Sequence, residues 1–282
     1  MLVSENISEI RKRRWLKNGE TWGLVPTMGF LHKGHLSLVR QAQQENDAVC
    51  VSIFVNPIQF NRKQDFDTYP VDMKKDLALL EKEGVDLVWT PKADQLYPRN
   101  FQTYVDVTQI TQFLEGAARP GHFRGVTTIV AILFNVFQPT RAYFGQKDAQ
   151  QVAVIRRMVE DLLFNLTIKT CPTMREADGL AMSSRNTNLT EDAREQAPVL
   201  YQTLAEARRL MEEGEESAVK IKQFMQEKIE QTSLALIDYI SVADPVTLQE
   251  LETIQGEALI SLAVFFGEVR LIDNVVFSRN TQ

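Results

Sequence analysis

The stretch WGLVPTMGFLHKGHLSLVRQAQQEN, residues 22–46, contains a change of period on which the reading of the fold turns. Residues 22–26 are a continuous apolar run, the pattern of a strand covered on both faces. From His35 onward, Leu36, Val39 and Ala42 recur at the spacing of one helical face. Between the two lies MGFLHKGH, residues 28–35, with two of the chain's three histidines and two glycines. A loop in that place joins the carboxyl end of a strand to the amino end of a helix, where ligands bind in open α/β sheets.

The same alternation continues on the carboxyl side. AVCVSIFV (48–55), DLVWT (86–90), RAYFG (141–145) and LTIKTC (166–171) are further short apolar runs, and the segments between them carry helical spacing, as in Leu77 and Leu80 ahead of Gly84. Alternating strands and helices predict a parallel, doubly wound, Rossmann-like α/β domain over residues 1–173. After Pro172, the polar loop READGLAMSSRN leads into charged helices from about Thr190 to Gln231, then into LIDYISVAD and ALISLAVFF. That change predicts a second, smaller α+β domain over residues 174–282, lid-like and hinged near residues 172–176.

Composition narrows the function. With 31 basic and 37 acidic residues and a net charge of −6, the chain lacks the positive surplus that a nucleic-acid backbone calls for. Its first residues, MLVSENISEIRKRRWLKNGE, hold no apolar core followed by a cleavage site, and no run approaches a membrane span of about 20 apolar residues. A cytoplasmic protein with no membrane or nucleic-acid partner is expected. Cys50 and Cys171 lie in strand-like runs and read as buried free thiols.

Three readings fit the loop at 27–35: a metal site, a phosphate site or a plain turn. His32 and His35 stand three residues apart, and His122 would complete a three-histidine zinc site, the mark of a hydrolase. No carboxylate lies near in sequence to orient such ligands, and the glycines would have no purpose. Phosphate uses everything present: Gly29 and Gly34 clear the approach of a backbone, a helix amino terminus offers N–H groups, and imidazoles donate hydrogen bonds to an anion. Asp148 and Gln151, in DAQQ, also match a helix capping box, which competes with any binding role for Gln151.

PTMGFLHKGH resembles the H-x-G-H signature of the nucleotidyltransferase superfamily, and its PTMG lead-in is similar to one member family, the pantothenate synthetases or pantoate–beta-alanine ligases. SIFVNPIQF (52–60), FDTYP (66–70), LEGAARPGHFRGV (114–126), YFGQKDAQQ (143–151) and READGLAMSSRN (175–186) resemble that family's segments in the same order. The resemblance implies a ligase that uses ATP to convert pantoate to an adenylate, releases pyrophosphate, and passes the acyl group to beta-alanine with loss of AMP. A homodimer is implied as well. Another H-x-G-H nucleotidyltransferase with a different acceptor is the alternative within the class, and a noncatalytic nucleotide-binding subunit or the zinc hydrolase lies outside it.

The resemblance implies these roles. His35 is a proton donor, with His32 beside it on the phosphates and Lys147 neutralising phosphate oxygens. Met28, Gly29, Gly34, Gly145, Gln146, Asp148, Met174, Met182, Ser183, Ser184 and Arg185 complete the ATP contacts. Gln59 and Gln151 take pantoate, and Gln59 also takes beta-alanine. ATP chemistry implies Mg²⁺, for which Asp76 is the expected ligand, alone through water and the phosphates, the alternative being an Asp76 that only faces solvent on its helix. The family commonly has two adjacent acids there, and this chain has Lys75 and Asp76.

Overall fold

The computed structural model describes residues 1–61 and 63–279. Strands β1 (Leu2–Ser4), β2 (Trp22–Thr27), β3 (Ala48–Ile53), β4 (Leu87–Trp89), β5 (Arg141–Gly145) and β6 (Thr167–Cys171) form one sheet in the order β1-β4-β3-β2-β5-β6. Every pairing in it is parallel. The five apolar runs read from the sequence are β2 to β6. The central strand β3 is buried on both faces, since successive residues Val49, Cys50 and Val51 are each at most 1% exposed, whereas in the edge strand β6 only Cys171 is buried.

Helices cover each face. Leu36, Val39 and Ala42 of the helix Lys33–Glu45 and Leu80 of the helix Met73–Lys82 pack with Val25, Val49, Val51 and Val88. Trp89 points the opposite way from its neighbour Val88, and its ring meets Phe137 of the helix His122–Phe137 at a centroid distance of 5.8 Å. Sheet order reverses beside β2, with β3 and β4 on one side and β5 and β6 on the other. The switch point between the carboxyl ends of β2 and β5 is where such sheets place ligands.

Two compact units divide the chain: Met1–Gly145 with Val154–Pro172, and Gln146–Ala153 with Thr173–Gln282. The second unit holds β7 (Ala235–Ala243), β8 (Glu257–Phe266) and β9 (Val269–Ser278), antiparallel in that order. One face of this sheet packs on the helices Val199–Glu212 and Ala218–Glu230 through Leu204, Ile221, Met225, Ile260 and Leu262, all at 0% exposure. On the opposite face Ser241, Ser261 and Asn274 lie in one cross-strand row.

Two strands escape the sequence reading. β1 has three residues, too few to show a period. β9 reads VRLIDNVVFS, where Arg270, Asp273 and Asn274 break the apolar pattern. Cys50 and Cys171 are free and buried; burial raises both thiols, Cys171 to about 11. No helix among the described residues is long and apolar enough to cross a membrane.

Candidate active site

Strand β2 ends at Thr27, whose hydroxyl donates to Ser52 O at 2.8 Å and accepts from Gly29 N at 3.2 Å. The chain then turns through Gly29 at φ 86° and Phe30 at φ 51°, both left-handed. A side chain at Gly29 would also crowd Asp76 Oδ2 at 3.0 Å and Ile53 Cγ2 at 3.1 Å, so both conformation and space favour glycine. Phe30 N donates to Asp76 Oδ2 at 2.7 Å and Leu31 N to Asp76 Oδ1 at 2.8 Å. Asp76 is fully buried beneath the loop.

This geometry gives Asp76, the expected metal ligand, a place under the loop. Each of its oxygens is taken by a main-chain N–H, and the Lys75 ammonium lies over the Phe30 ring at 5.6 Å. A buried carboxylate accepting two N–H bonds anchors the loop. Among the described residues, no group of three or more His, Cys, Asp and Glu side chains is arranged to hold a metal. His122, the third histidine of a zinc site, has its Nδ1 2.8 Å from Gln59 O.

The helix Lys33–Glu45 opens with a capping box made of imidazoles. His32 is the N-cap, at φ −130° and ψ 176°, and its Nδ1 accepts from Gly34 N at 3.1 Å. His35, in the third helical position, returns the contact, its Nδ1 accepting from His32 N at 3.3 Å. The usual box uses Ser or Thr with Glu. Replacing both by histidine fixes the tautomer: a ring nitrogen that accepts an N–H bond carries no proton, so each neutral ring carries its proton on Nε2. The two rings lie 4.1 Å apart between centroids, tilted by 41°. The N–H groups of Gly29, Phe30, Leu31, His32 and Gly34 are all used inside the loop.

Gln59 closes a short turn, Pro57–Gln59, beyond the carboxyl end of β3. It is 9% exposed, its amide nitrogen lies 2.9 Å from Met28 Sδ, and its Oε1 accepts from Asn56 Nδ2 at 3.0 Å. Asn56 is 1% exposed; it also donates to Gly125 O at 3.0 Å and accepts from the Tyr97 hydroxyl at 2.8 Å. The helix His122–Phe137 presses on this turn at Gly125, where a Cβ would meet Ile58 O at 2.5 Å. Met28 and Gln59, both read from the sequence, are thus brought together. Asn56, which orients Gln59, was missed, although an Asn placed between an apolar strand and a proline was its visible signal.

Apart from Gly145, which ends β5 in the first unit, the remaining site residues belong to the second unit. Gln146–Asp148 form a 3₁₀ turn directly after Gly145, and the helix Ala149–Asp161 follows, with Gln151 in its first turn. Lys147 is mostly covered, its side chain 17% exposed, and its ammonium stands 4.0 Å from Asp148 Oδ1. Met174 and Met182 face each other across a hairpin, Met182 N donating to Met174 O at 2.9 Å. Ser183 caps the turn Ser184–Asn188 by accepting from Arg185 N at 3.2 Å, which leaves its hydroxyl proton for a further acceptor. Ser184 and Arg185 lie in that turn.

A parallel sheet with an imidazole-capped helix start at its switch point defines a nucleotide-handling α/β enzyme of the H-x-G-H kind. Comparison with known proteins narrows this further. A family model described as pantoate-beta-alanine ligase matches residues 2–276, and the chain belongs to that family. It is 52% identical over 278 residues to a pantothenate synthetase of Acetivibrio thermocellus, covering 98% of this chain and 99% of the relative. A pantothenate synthetase of Herpetosiphon aurantiacus is 54% identical over 279 residues, covering 98% of this chain and all of the relative. Among solved structures, the Thermus thermophilus pantothenate synthetase superposes with a TM-score of 0.92 at 44% identity, covering 98% of this chain and 99% of that one. A Francisella tularensis pantoate-beta-alanine ligase, solved with beta-gamma ATP and beta-alanine, gives 0.80 at 36% identity, covering 98% and 97%.

Proposed function

We propose that this chain joins pantoate to beta-alanine at the expense of ATP. In the first step a pantoate carboxylate oxygen attacks the α-phosphorus, and the bond to the β-phosphate oxygen breaks, so pyrophosphate leaves with the electron pair. In the second step the beta-alanine amine attacks the acyl carbon, and AMP departs with the carbon–oxygen pair while the amine loses a proton. Positioning and charge stabilisation carry most of such a reaction.

His32 and His35 present Nε2–H donors to the triphosphate, and His35 supplies the donor on which charge grows as pyrophosphate leaves. Lys147 neutralises phosphate oxygens, and Ser183, Ser184 and Arg185 bind others by hydroxyl and guanidinium contacts. Met28, Gly29, Gly34, Gly145, Gln146, Asp148, Met174 and Met182 complete the nucleotide contacts. Gln59 and Gln151 hold pantoate, and Gln59 also meets beta-alanine. Mg²⁺ is carried in with the nucleotide as its phosphate complex, because Asp76 is committed to the loop. The enzyme works as a homodimer in the cytosol, in keeping with its two free, buried cysteines.

The observation that supports this most is the imidazole capping box at the carboxyl edge of β2. The test is exchange of labelled pyrophosphate into ATP. Exchange that requires pantoate, followed by AMP release when beta-alanine is added, is the expected result. Exchange indifferent to pantoate overturns the assignment of the acceptor, and ATP binding without exchange overturns the enzyme.

A further inference from the structure

Two consecutive residues of β9 reach two different segments of the second unit. Asp273, 2% exposed, accepts from Arg175 Nη1 at 2.6 Å and from Nη2 at 3.0 Å. Arg175 also donates to Gly179 O at 3.1 Å and stacks on the Tyr201 ring at 3.7 Å, so this carboxylate fixes the hairpin that leads to Met182. Asn274, 4% exposed, points to the other face of the sheet. Its amide nitrogen donates to Gln146 O at 3.0 Å and to Lys147 O at 2.9 Å, and its Oδ1 accepts from Gln146 Nε2 at 2.9 Å.

Both hydrogens and the oxygen of one buried amide are therefore spent on the turn that carries Lys147. An apolar residue would leave two carbonyls without a donor, and a carboxylate would set negative charge against them. We propose that Asn274 is a positioning residue for the reaction: it touches no substrate and acts by holding the main chain of Lys147, which fixes where the ammonium is delivered. Its neighbour Asp273 holds the Arg175 hairpin from the same strand, so one peptide step sets the spacing of the two segments. The inference rests on the role given to Lys147 under the proposed function.

A kinetic cycle tests it, using the full-length enzyme with Asn274→Asp, Lys147→Ala and the double variant, read by pantoate-dependent pyrophosphate exchange. Asn274→Asp keeps the acceptor for Gln146 and loses both donors. It is expected to slow exchange by about tenfold to hundredfold, as misplacement of a catalytic group does, and to raise the KM for ATP while that for pantoate stays fixed. Acting through Lys147, it adds nothing further once Lys147 is gone, so the double variant matches Lys147→Ala within about twofold. Losses that multiply in the double variant, or equal changes in both KM values, overturn the proposal. Should Asn274→Asp fail to fold by circular dichroism, Asn274→Ser, which keeps one donor, enters the same cycle with the same criteria. Wild-type protein that shows no pantoate-dependent exchange counts against the proposed function instead, so the two failures are told apart.

Discussion

The loop after β2 is held through its N–H groups, whereas the turn after β5 is held through its carbonyls. Asp76 accepts from Phe30 and Leu31, and the two imidazoles accept from Gly34 and His32. Asn274 does the reverse, donating to the carbonyls of Gln146 and Lys147. Under the proposed function, the difference matches what each segment would offer a nucleotide. The first must fix rings that themselves serve as acceptors inward and donors outward, so its grips are acceptors. The second must fix a lysine whose ammonium already supplies the donors, so its main chain is held from the carbonyl side.

The largest expected effect comes from removing the groups so delivered. His35→Ala and Lys147→Ala should each slow pantoate-dependent exchange by about 10²- to 10³-fold, with circular dichroism unchanged. Retention of near-normal exchange by one of the two would show that only one of these segments acts on the phosphates.

Loss of a grip should cost less. Asp76→Asn leaves one of the N–H groups of Phe30 and Leu31 facing an amide donor, and urea unfolding should show a loss of about 1–3 kcal/mol. The Mg²⁺ concentration giving half-maximal exchange should match that of wild type. A rise in that concentration would mean the carboxylate binds the ion after all.

Asn56→Ala should be milder and aimed at a different substrate. It removes the donor to Gln59 Oε1 and to Gly125 O, so the KM for pantoate should rise about fivefold, the scale of one hydrogen bond, with the KM for ATP unmoved. A matching rise for ATP would place Gln59 with the nucleotide.

The effect furthest from the chemistry is on stability in alkali, and it concerns the sheet that carries the first loop. Burial pushes the Cys171 thiol from 9.0 up to about 11 and the Tyr143 hydroxyl from 10.0 up to about 12. Both are raised, so above the unfolded values the unfolded chain has released protons that the folded chain still holds, and stability falls as pH rises. The urea midpoint should drop between pH 9.0 and 11 for Cys171 and between 10.0 and 12 for Tyr143. Tyr143→Phe should flatten the upper part of that curve; an unchanged slope would remove Tyr143 as its source.

Much of this was legible in the sequence. Five strands announced themselves as short apolar runs, and His32, His35 and Gln59 drew notice because polar loop residues stand just past such runs. What stayed hidden has a common cause. Asp76 reads as an ordinary acid in the first turn of an amphipathic helix, and its partners are the main-chain N–H groups of Phe30 and Leu31, which every sequence contains. Asn274 is hidden in the same way: its partners are carbonyls 128 and 127 positions earlier. Side chains that bind main chain across long separations leave no spacing to read. Their own strand was also missed, because the polar pair Asp273 and Asn274 interrupts it.

The tautomer of the two histidines is the claim nearest the chemistry, and nitrogen-15 resonance of the imidazoles measures it directly in a chain with three histidines. At a pH above the ordinary imidazole range near about 6.5, His32 and His35 should both be protonated on Nε2, and both Nε2–H signals should move when ATP is added. A proton found on Nδ1 of either ring, or signals indifferent to ATP, would contradict the account.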